Sequence, residues 1–207
     1  MRIILLLFLS YFQTICFGQT HSISTIPSFP LKNEIGDSLD IKDLVRDKIA
    51  VINFWFIPCP PCMREMADLN QLYSRFSKNK NFTFISITAS DPEAVKNMTT
   101  ESYADSSLYP FFRKTAGIDH FEYPVFYLAT CQDKVLRAGP NVKDFKILQP
   151  EKINCPYDVF GFQLYPTTLI ANTKGEIIYR HTGLLMEKDR SLNEVKKIIK
   201  TELEKLE

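Results

Sequence analysis

The segment from Lys48 to Ile57 (KIAVINFWFI) is a nearly continuous run of apolar, strand-forming residues that ends in a cluster of prolines and cysteines. Such a run, without polar alternation, reads as a central strand buried on both faces. From Cys62 to about Ser77, Met66, Leu69, Tyr73 and Phe76 recur at three- and four-residue spacing, while Arg64, Asp68, Gln71 and Arg75 fall elsewhere. That pattern predicts an amphipathic helix packed on a sheet. Phe82 to Thr88 (FTFISIT) then reads as a second buried strand. Strand, helix and strand in this order make a right-handed βαβ unit and a parallel strand pair.

The rest of the chain extends this sheet. Phe29 and Leu31 before the Gly36-Asp37 turn, with Leu39 and Ile41 after it, predict a short N-terminal hairpin. A helix is expected from Pro92 to about Tyr103, then an irregular aromatic stretch to residue 124, then a strand over Val125 to Thr130. Residues 131–155 lack any period and read as an insert bounded by Cys131 and Cys155, followed by a helical turn around Tyr157 to Phe160. Thr167 to Ala171 and Ile177 to Thr182 flank the Lys174-Gly175 turn as antiparallel partners. From Ser191 onward, Leu192, Val195, Ile198, Ile199, Leu203 and Leu206 form one helical stripe. The fold class is α/β, a central mixed sheet flanked by helices.

Composition excludes some functions. With 16 Phe, 9 Tyr and a formal net charge of +1 the chain is not of the disordered type. Its 25 Lys and Arg against 24 Asp and Glu, with no long basic run, argue against nucleic-acid binding. A chain of 207 residues needs no disulfide for bare stability, so its 5 cysteines require another explanation.

Arg2 followed by the apolar run Ile3 to Phe12 has the form of a secretory signal, too short to span a bilayer. The expected division is a signal peptide over residues 1–18, a leader segment over 19–27 and one domain over 28–207. Lipoprotein processing at Cys16 fits less well, because Gln13-Thr14-Ile15 make a poor approach to it. The mature protein is therefore expected in a periplasmic or extracellular, disulfide-permissive compartment, with Cys59, Cys62, Cys131 and Cys155 retained.

The sharpest chemical feature is Cys59-Pro60-Pro61-Cys62, placed where a strand ends and a helix begins. Two intervening residues let both sulfurs reach bonding distance within one helical turn. Cys59, before the helix, meets the positive end of the helix dipole, which favours its thiolate and makes it the nucleophile. Cys62, one turn in, is the resolving thiol. The two prolines bring no N–H donors, so the lowering of the Cys59 pKa should be limited. A zinc site is the rival reading. Tetrahedral zinc wants four ligands, and neither Cys131 and Cys155 nor His21, His120 and His181 have ligand spacing. No metal and no cofactor is expected beyond the Cys59-Cys62 disulfide itself.

Tyr165-Pro166-Thr167-Thr168 opens a strand, a position that tolerates proline. A cis Pro166 would leave neighbouring backbone groups to pair with an extended substrate beside the dithiol, whereas a trans proline simply starts a strand.

Asn53-Phe54-Trp55 before the cysteine pair, Glu65 three residues after it, Tyr165-Pro166-Thr167-Thr168, and the Lys174-Gly175-Glu176 hairpin together resemble the TlpA/ResA-type thiol-disulfide oxidoreductases of the thioredoxin superfamily. The resemblance covers about residues 28–205. It implies a thioredoxin-like fold with a cis-Pro strand, to which this chain adds the N-terminal hairpin and the insert before that strand read above. It also implies disulfide exchange, with reduction favoured over oxidation. Glu65 would handle the Cys62 proton; its bland alternative is a solvated residue of the first helical turns. Trp55, Pro60, Pro61, Tyr165, Pro166 and Thr167 would line the substrate site, Trp55 also packing in the core. The partners implied are protein or small-molecule disulfides and a membrane thiol-electron donor; the oligomeric state is left open.

Thioredoxin itself carries Asp six residues before its first cysteine, where this chain has Asn53. Two departures from the TlpA/ResA pattern stand out. Pro58 stands before Cys59 where many relatives have Trp or another large residue. From Cys62 to Pro166 is 104 positions, longer than usual in the family. Cys131 and Cys155 are read as a structural disulfide closing the insert, with free buried thiols or a second redox pair as alternatives. Two rivals share the fold. A copper chaperone would use His181 as third ligand, but it wants three residues between its cysteines. A thiol-specific peroxidase wants Thr three positions before the reactive cysteine, where this chain has Phe56.

Overall fold

A computed structural model describes residues 23–90, 92–99, 108–128, 159–162, 164–188 and 190–207. The expected signal peptide, residues 19–22 of the leader, the insert and both Cys131 and Cys155 lie outside the described residues. Among the described residues, seven strands form one mixed sheet: β1 (Pro30–Lys32), β2 (Ser38–Asp40), β3 (Ile49–Trp55), β4 (Phe82–Thr88), β5 (Val125–Leu128), β6 (Thr167–Ala171) and β7 (Ile177–Thr182). Their order across the sheet is β2-β1-β5-β4-β3-β6-β7. β3 runs parallel to β4 and antiparallel to β6, and β4 runs parallel to β5. The βαβ expectation is thus met, and β3 is buried at every position.

Alternation along β3 divides the core. Ala50, Ile52 and Phe54 face a cluster with Phe29, Leu31, Phe160, Phe162 and the short helix α1 (Ile41–Val45). Ile49 and Val51 face the long helix α2 (Pro60–Phe76) through Leu69, Leu72 and Phe76. The C-terminal helix, α5 (Ser191–Glu204), lies in that same cluster through Leu192, Val195, Ile199 and Leu203. Each such side chain contributes about 1.5–3 kcal/mol by leaving water. Tyr73, expected on the buried stripe of α2, is half-buried, and Leu72 takes the deep position. Leu206, expected on the α5 stripe, lies beyond the helix and is exposed.

Local chemistry explains where elements start and stop. Asp40 caps α1 by accepting the Lys42 N–H at 2.8 Å, so Ile41 begins a helix rather than ending the hairpin strand as expected. At the predicted β6–β7 turn, Gly175 takes φ 76° and its N–H donates to the Asn172 carbonyl. That left-handed backbone is costly for residues bearing a Cβ.

Among the described residues there are two further helices, α3 (Pro92–Thr99) and α4 (Leu108–Ala116). α3 is described only to Thr99, short of the expected end near Tyr103. α4 replaces part of the expected irregular stretch. Its Pro110 sits in the first turn, where an N–H has no partner within the helix, and this hid the helical period of Phe112 and Ala116. Both side chains are buried in a third cluster with Ala94, Val95 and Met98 of α3, around the two cysteines of the CPPC segment.

Candidate active site

β3 delivers the chain to the sheet's end at Trp55, and the four residues Phe56 to Cys59 turn it into α2. This turn is anchored to the end of β4. The Ala89 N–H donates to the Trp55 carbonyl at 3.0 Å, and the Ile57 N–H donates to Ser90 Oγ at 2.7 Å. The Ile57-Pro58 peptide is cis, as is Tyr165-Pro166. Of the two geometries open to Pro166, the structure therefore has the cis one.

Cys59 and Cys62 are joined as a disulfide, with their Cα atoms 5.2 Å apart. Cys59 is the N-cap of α2, and Pro60 and Pro61 occupy its first two positions. Proline suits those positions because its missing N–H would have no helical partner there. The first side-chain-capping donor left is the Cys62 N–H, which points at Cys59 Sγ at 3.3 Å. The sulfur of Cys59 therefore holds the place where a capping oxygen usually sits, next to the positive end of the helix. Cys59 keeps 5% of its surface exposed and Cys62 1%.

Glu65, one turn beyond Cys62 on the same helix, is wholly buried, which excludes the solvated alternative. Burial pushes its carboxyl up to about 8; the Leu185 N–H and the Asn53 amide pull the other way, and Asp68 adds a smaller upward push. The two donors divide the carboxyl between them. Asn53 Nδ2 donates to Oε1 at 2.8 Å, and the Leu185 N–H donates to Oε2 at 2.9 Å. Tyr123, buried and facing the Glu65 charge, has its phenol pushed well above the usual range.

The other predicted side chains are distributed around this centre. Trp55 is buried, donates its Nε1–H to Ser86 Oγ at 2.7 Å and packs on Phe121 with ring centroids 5.4 Å apart. Its expected substrate contact gives way to the core role, because neither its face nor its N–H reaches the surface. Pro60 is exposed and Pro61 half-exposed. Tyr165 is half-buried, Pro166 is buried, and the Pro166 carbonyl accepts the Gly183 N–H at 2.8 Å. Thr167 is buried, its hydroxyl spent on the Leu164 carbonyl at 2.6 Å. His181 stands on β7 opposite Thr168, its Nε2 3.3 Å from the Leu184 carbonyl.

Sequence reasoning missed several contributors. Phe56 is half-buried beside the disulfide and meets Tyr165 edge-on at 5.0 Å. Leu164, 64% exposed, adds an apolar side chain just before Tyr165. Leu185 acts through its backbone, which leaves no trace in side-chain identity. Asn53 did carry a signal, as an amide interrupting an apolar strand.

The sequence profile of the AhpC/TSA family matches residues 24–127. The thiol-disulfide oxidoreductase ResA of Halalkalibacterium halodurans is 27% identical over 175 residues, which cover 84% of this chain and 75% of that protein. A solved thiol:disulfide interchange protein of the thioredoxin family from Chlorobium tepidum TLS aligns with a TM-score of 0.52 at 20% identity, over 87% of this chain and 96% of its own. A solved thiol-disulfide oxidoreductase from Bacteroides fragilis NCTC 9343 aligns with a TM-score of 0.51 at 20% identity, over 84% and 98%. At these identities the two structures establish a thioredoxin-like fold.

Proposed function

Because the chain belongs to the AhpC/TSA family and is a protein disulfide oxidoreductase of the TlpA/ResA type, we propose that it is an exported disulfide reductase working through Cys59 and Cys62. In the reduced protein the Cys59 thiolate attacks one sulfur of a substrate disulfide. A mixed disulfide forms and the first substrate thiolate leaves. Cys62 then loses its proton, its thiolate attacks Cys59 Sγ, and the second substrate thiolate departs as the Cys59–Cys62 bond closes. Two electrons have passed to the substrate. They are restored by another protein's dithiol, with a membrane-embedded thiol transporter as the class of donor. No prosthetic group takes part.

The observation that carries this reading is the Cys59–Cys62 disulfide at the start of α2, with a buried carboxyl one turn further along. The Cys62 N–H directed at Cys59 Sγ supports Cys59 as the nucleophile, as does its greater exposure. Burial of Glu65 supports its role as acceptor of the Cys62 proton, since a carboxyl group titrating near neutrality can both take and return a proton there. Pro60, Pro61, Leu164 and Tyr165 are the surface over which a substrate segment would lie, with Pro166 beneath it.

A trapping experiment tests the assignment. Cys62→Ser should accumulate substrates, including a model peptide disulfide, as dithiothreitol-reversible adducts on Cys59, and Cys59→Ser should accumulate none. Equal trapping by both variants, or by neither, would refute it. Direction is set by the reduction potential, which the fluorescence of Trp55, the chain's one tryptophan, can follow against redox buffers. A value near about −270 mV fits a reductant, whereas one near about −120 mV would make the protein an oxidant.

A further inference from the structure

Asn53 stands in the middle of β3, opposite Ser86 on β4 and Thr168 on β6. It is 1% exposed in a strand whose other residues are apolar. Both hydrogens of its amide are committed: one goes to Glu65 Oε1 at 2.8 Å and the other to Thr168 Oγ1 at 3.1 Å. The strand has no use for this amide. A hydrogen-bonded buried amide offers little net stability over an apolar side chain of the same volume, and it is costly wherever a partner is lacking. Its two partners show what it does. Thr168 pins one N–H, so the other is aimed at Glu65 with no freedom to rotate away.

We propose that Asn53 is the positioning residue of the exchange reaction: its amide, held by Thr168, fixes the Glu65 carboxyl against the first turns of α2 and leaves Glu65 as the sole proton carrier there. The inference rests on the reading that Glu65 exchanges a proton with Cys62. An amide donates without ever losing its proton, so Asn53 supports the ionised carboxyl and cannot compete for the proton in transit. A carboxyl at position 53 would do the opposite. Two carboxyl oxygens at this separation cannot both be ionised at little cost, and the pair would share one proton.

The surroundings of Glu65 make the assignment specific. On α2, Cys62 and Asp68 are the titratable neighbours, and Asp68 is itself engaged by the Glu187 N–H at 3.4 Å. From the segment before β5 comes the Tyr123 phenol, and from the segment after β7 the Leu185 amide. β7 places His181 opposite Thr168. From α5, Lys196 is paired with Glu187. Among the hydrogen-bond partners of the Glu65 carboxyl, Asn53 is the side-chain donor and Leu185 the backbone donor, so only Asn53 can be altered by substitution without cutting the main chain.

The test uses Asn53→Leu, which removes the donor while keeping the branching at Cγ, and Asn53→Asp, which keeps shape and gives Thr168 an acceptor. In the oxidised protein, where neither active-site cysteine titrates, the Glu65 carboxyl is followed by carbon NMR across pH. Asn53→Leu should raise its midpoint by roughly one pH unit, since a donor favouring the ionised form is lost. Asn53→Asp should replace one titration step by two well-separated ones. In the reduced protein the Glu65-dependent limb of the pH–rate profile for disulfide reduction should move upward with the Asn53→Leu midpoint. In a Glu65→Gln background, Asn53→Leu should move no limb. A merely structural Asn53 would lower the rate equally at all pH values, and that outcome overturns the proposal, as does an unmoved midpoint in a folded Asn53→Leu protein. If the wild-type profile has no limb that Glu65→Gln removes, the proton-carrier reading of Glu65 itself is wrong, a result distinct from a limb that exists and ignores Asn53.

Discussion

Replacing Glu65 by Gln should change the pH dependence of stability in a way that can be worked from the structure. In the folded protein the carboxyl is pushed up from 4.5 to about 8, mainly because it is wholly buried. Between those two values the folded state holds a proton that the unfolded state has lost. Stability from this group is therefore complete below about pH 4.5 and falls as pH rises through the folded value near 8. At about 1.4 kcal/mol per pH unit, the whole interval amounts to about 5 kcal/mol. The substituted amide would not titrate, but it has a different fault. Glu65 receives N–H donors on both oxygens, from Asn53 and from Leu185. A glutamine presents one oxygen and one NH₂, so one of those donors faces another donor, at a cost of about 1–3 kcal/mol. The variant should thus be the less stable protein at acidic pH. The two stability curves should cross between about pH 5 and 7, and near pH 9 the variant should lead by about 2–4 kcal/mol. Urea unfolding of both proteins, oxidised so that the disulfide is intact, measures the difference directly. Histidines and exposed carboxylates shared by the two proteins cancel. A difference that stays the same from pH 5 to pH 9 would show that Glu65 does not carry its proton into the folded state.

The remaining predictions concern Trp55 and the family's other chemistry. Trp55→Phe removes the bond to Ser86 Oγ and part of the packing on Phe121; it should destabilise the protein by about 2 kcal/mol while leaving the rate of disulfide exchange within a small factor. A large fall in exchange rate with unchanged thermal stability would instead put Trp55 in contact with substrate. Incubated with hydrogen peroxide and a dithiol reductant, the protein should consume no more peroxide than free thiol does, because Phe56 occupies the position where a thiol-specific peroxidase has Thr. Rapid turnover abolished by Cys59→Ser would assign the chain peroxidase chemistry.

Much of the fold was legible because local pattern and tertiary environment agreed. The apolar run ending at Ile57 and the FTFISIT strand lie where their patterns placed them, since strands buried on both faces leave little room for other residue types, and the hairpin lies where its Lys174-Gly175 turn placed it. The signals that failed were masked ones. Asp40 ended the hairpin by capping a helix, and Pro110 with its aromatic neighbours concealed α4.

The cysteine pair, its place between strand and helix, and the carboxyl three residues further on are properties of the sequence, because CPPC spacing and the helical repeat are local and follow from neighbouring residues alone. What Glu65 experiences is not local. Its burial comes from the closing of α2 onto the sheet, and its two donors arrive from positions 12 and 120 residues away. A helix surface and a helix core can read alike over a few residues, and a carboxyl in water differs from the same carboxyl in the interior by the solvation of its charge. Only the packed structure supplies that difference, and with it the reason for an asparagine in the middle of an apolar strand.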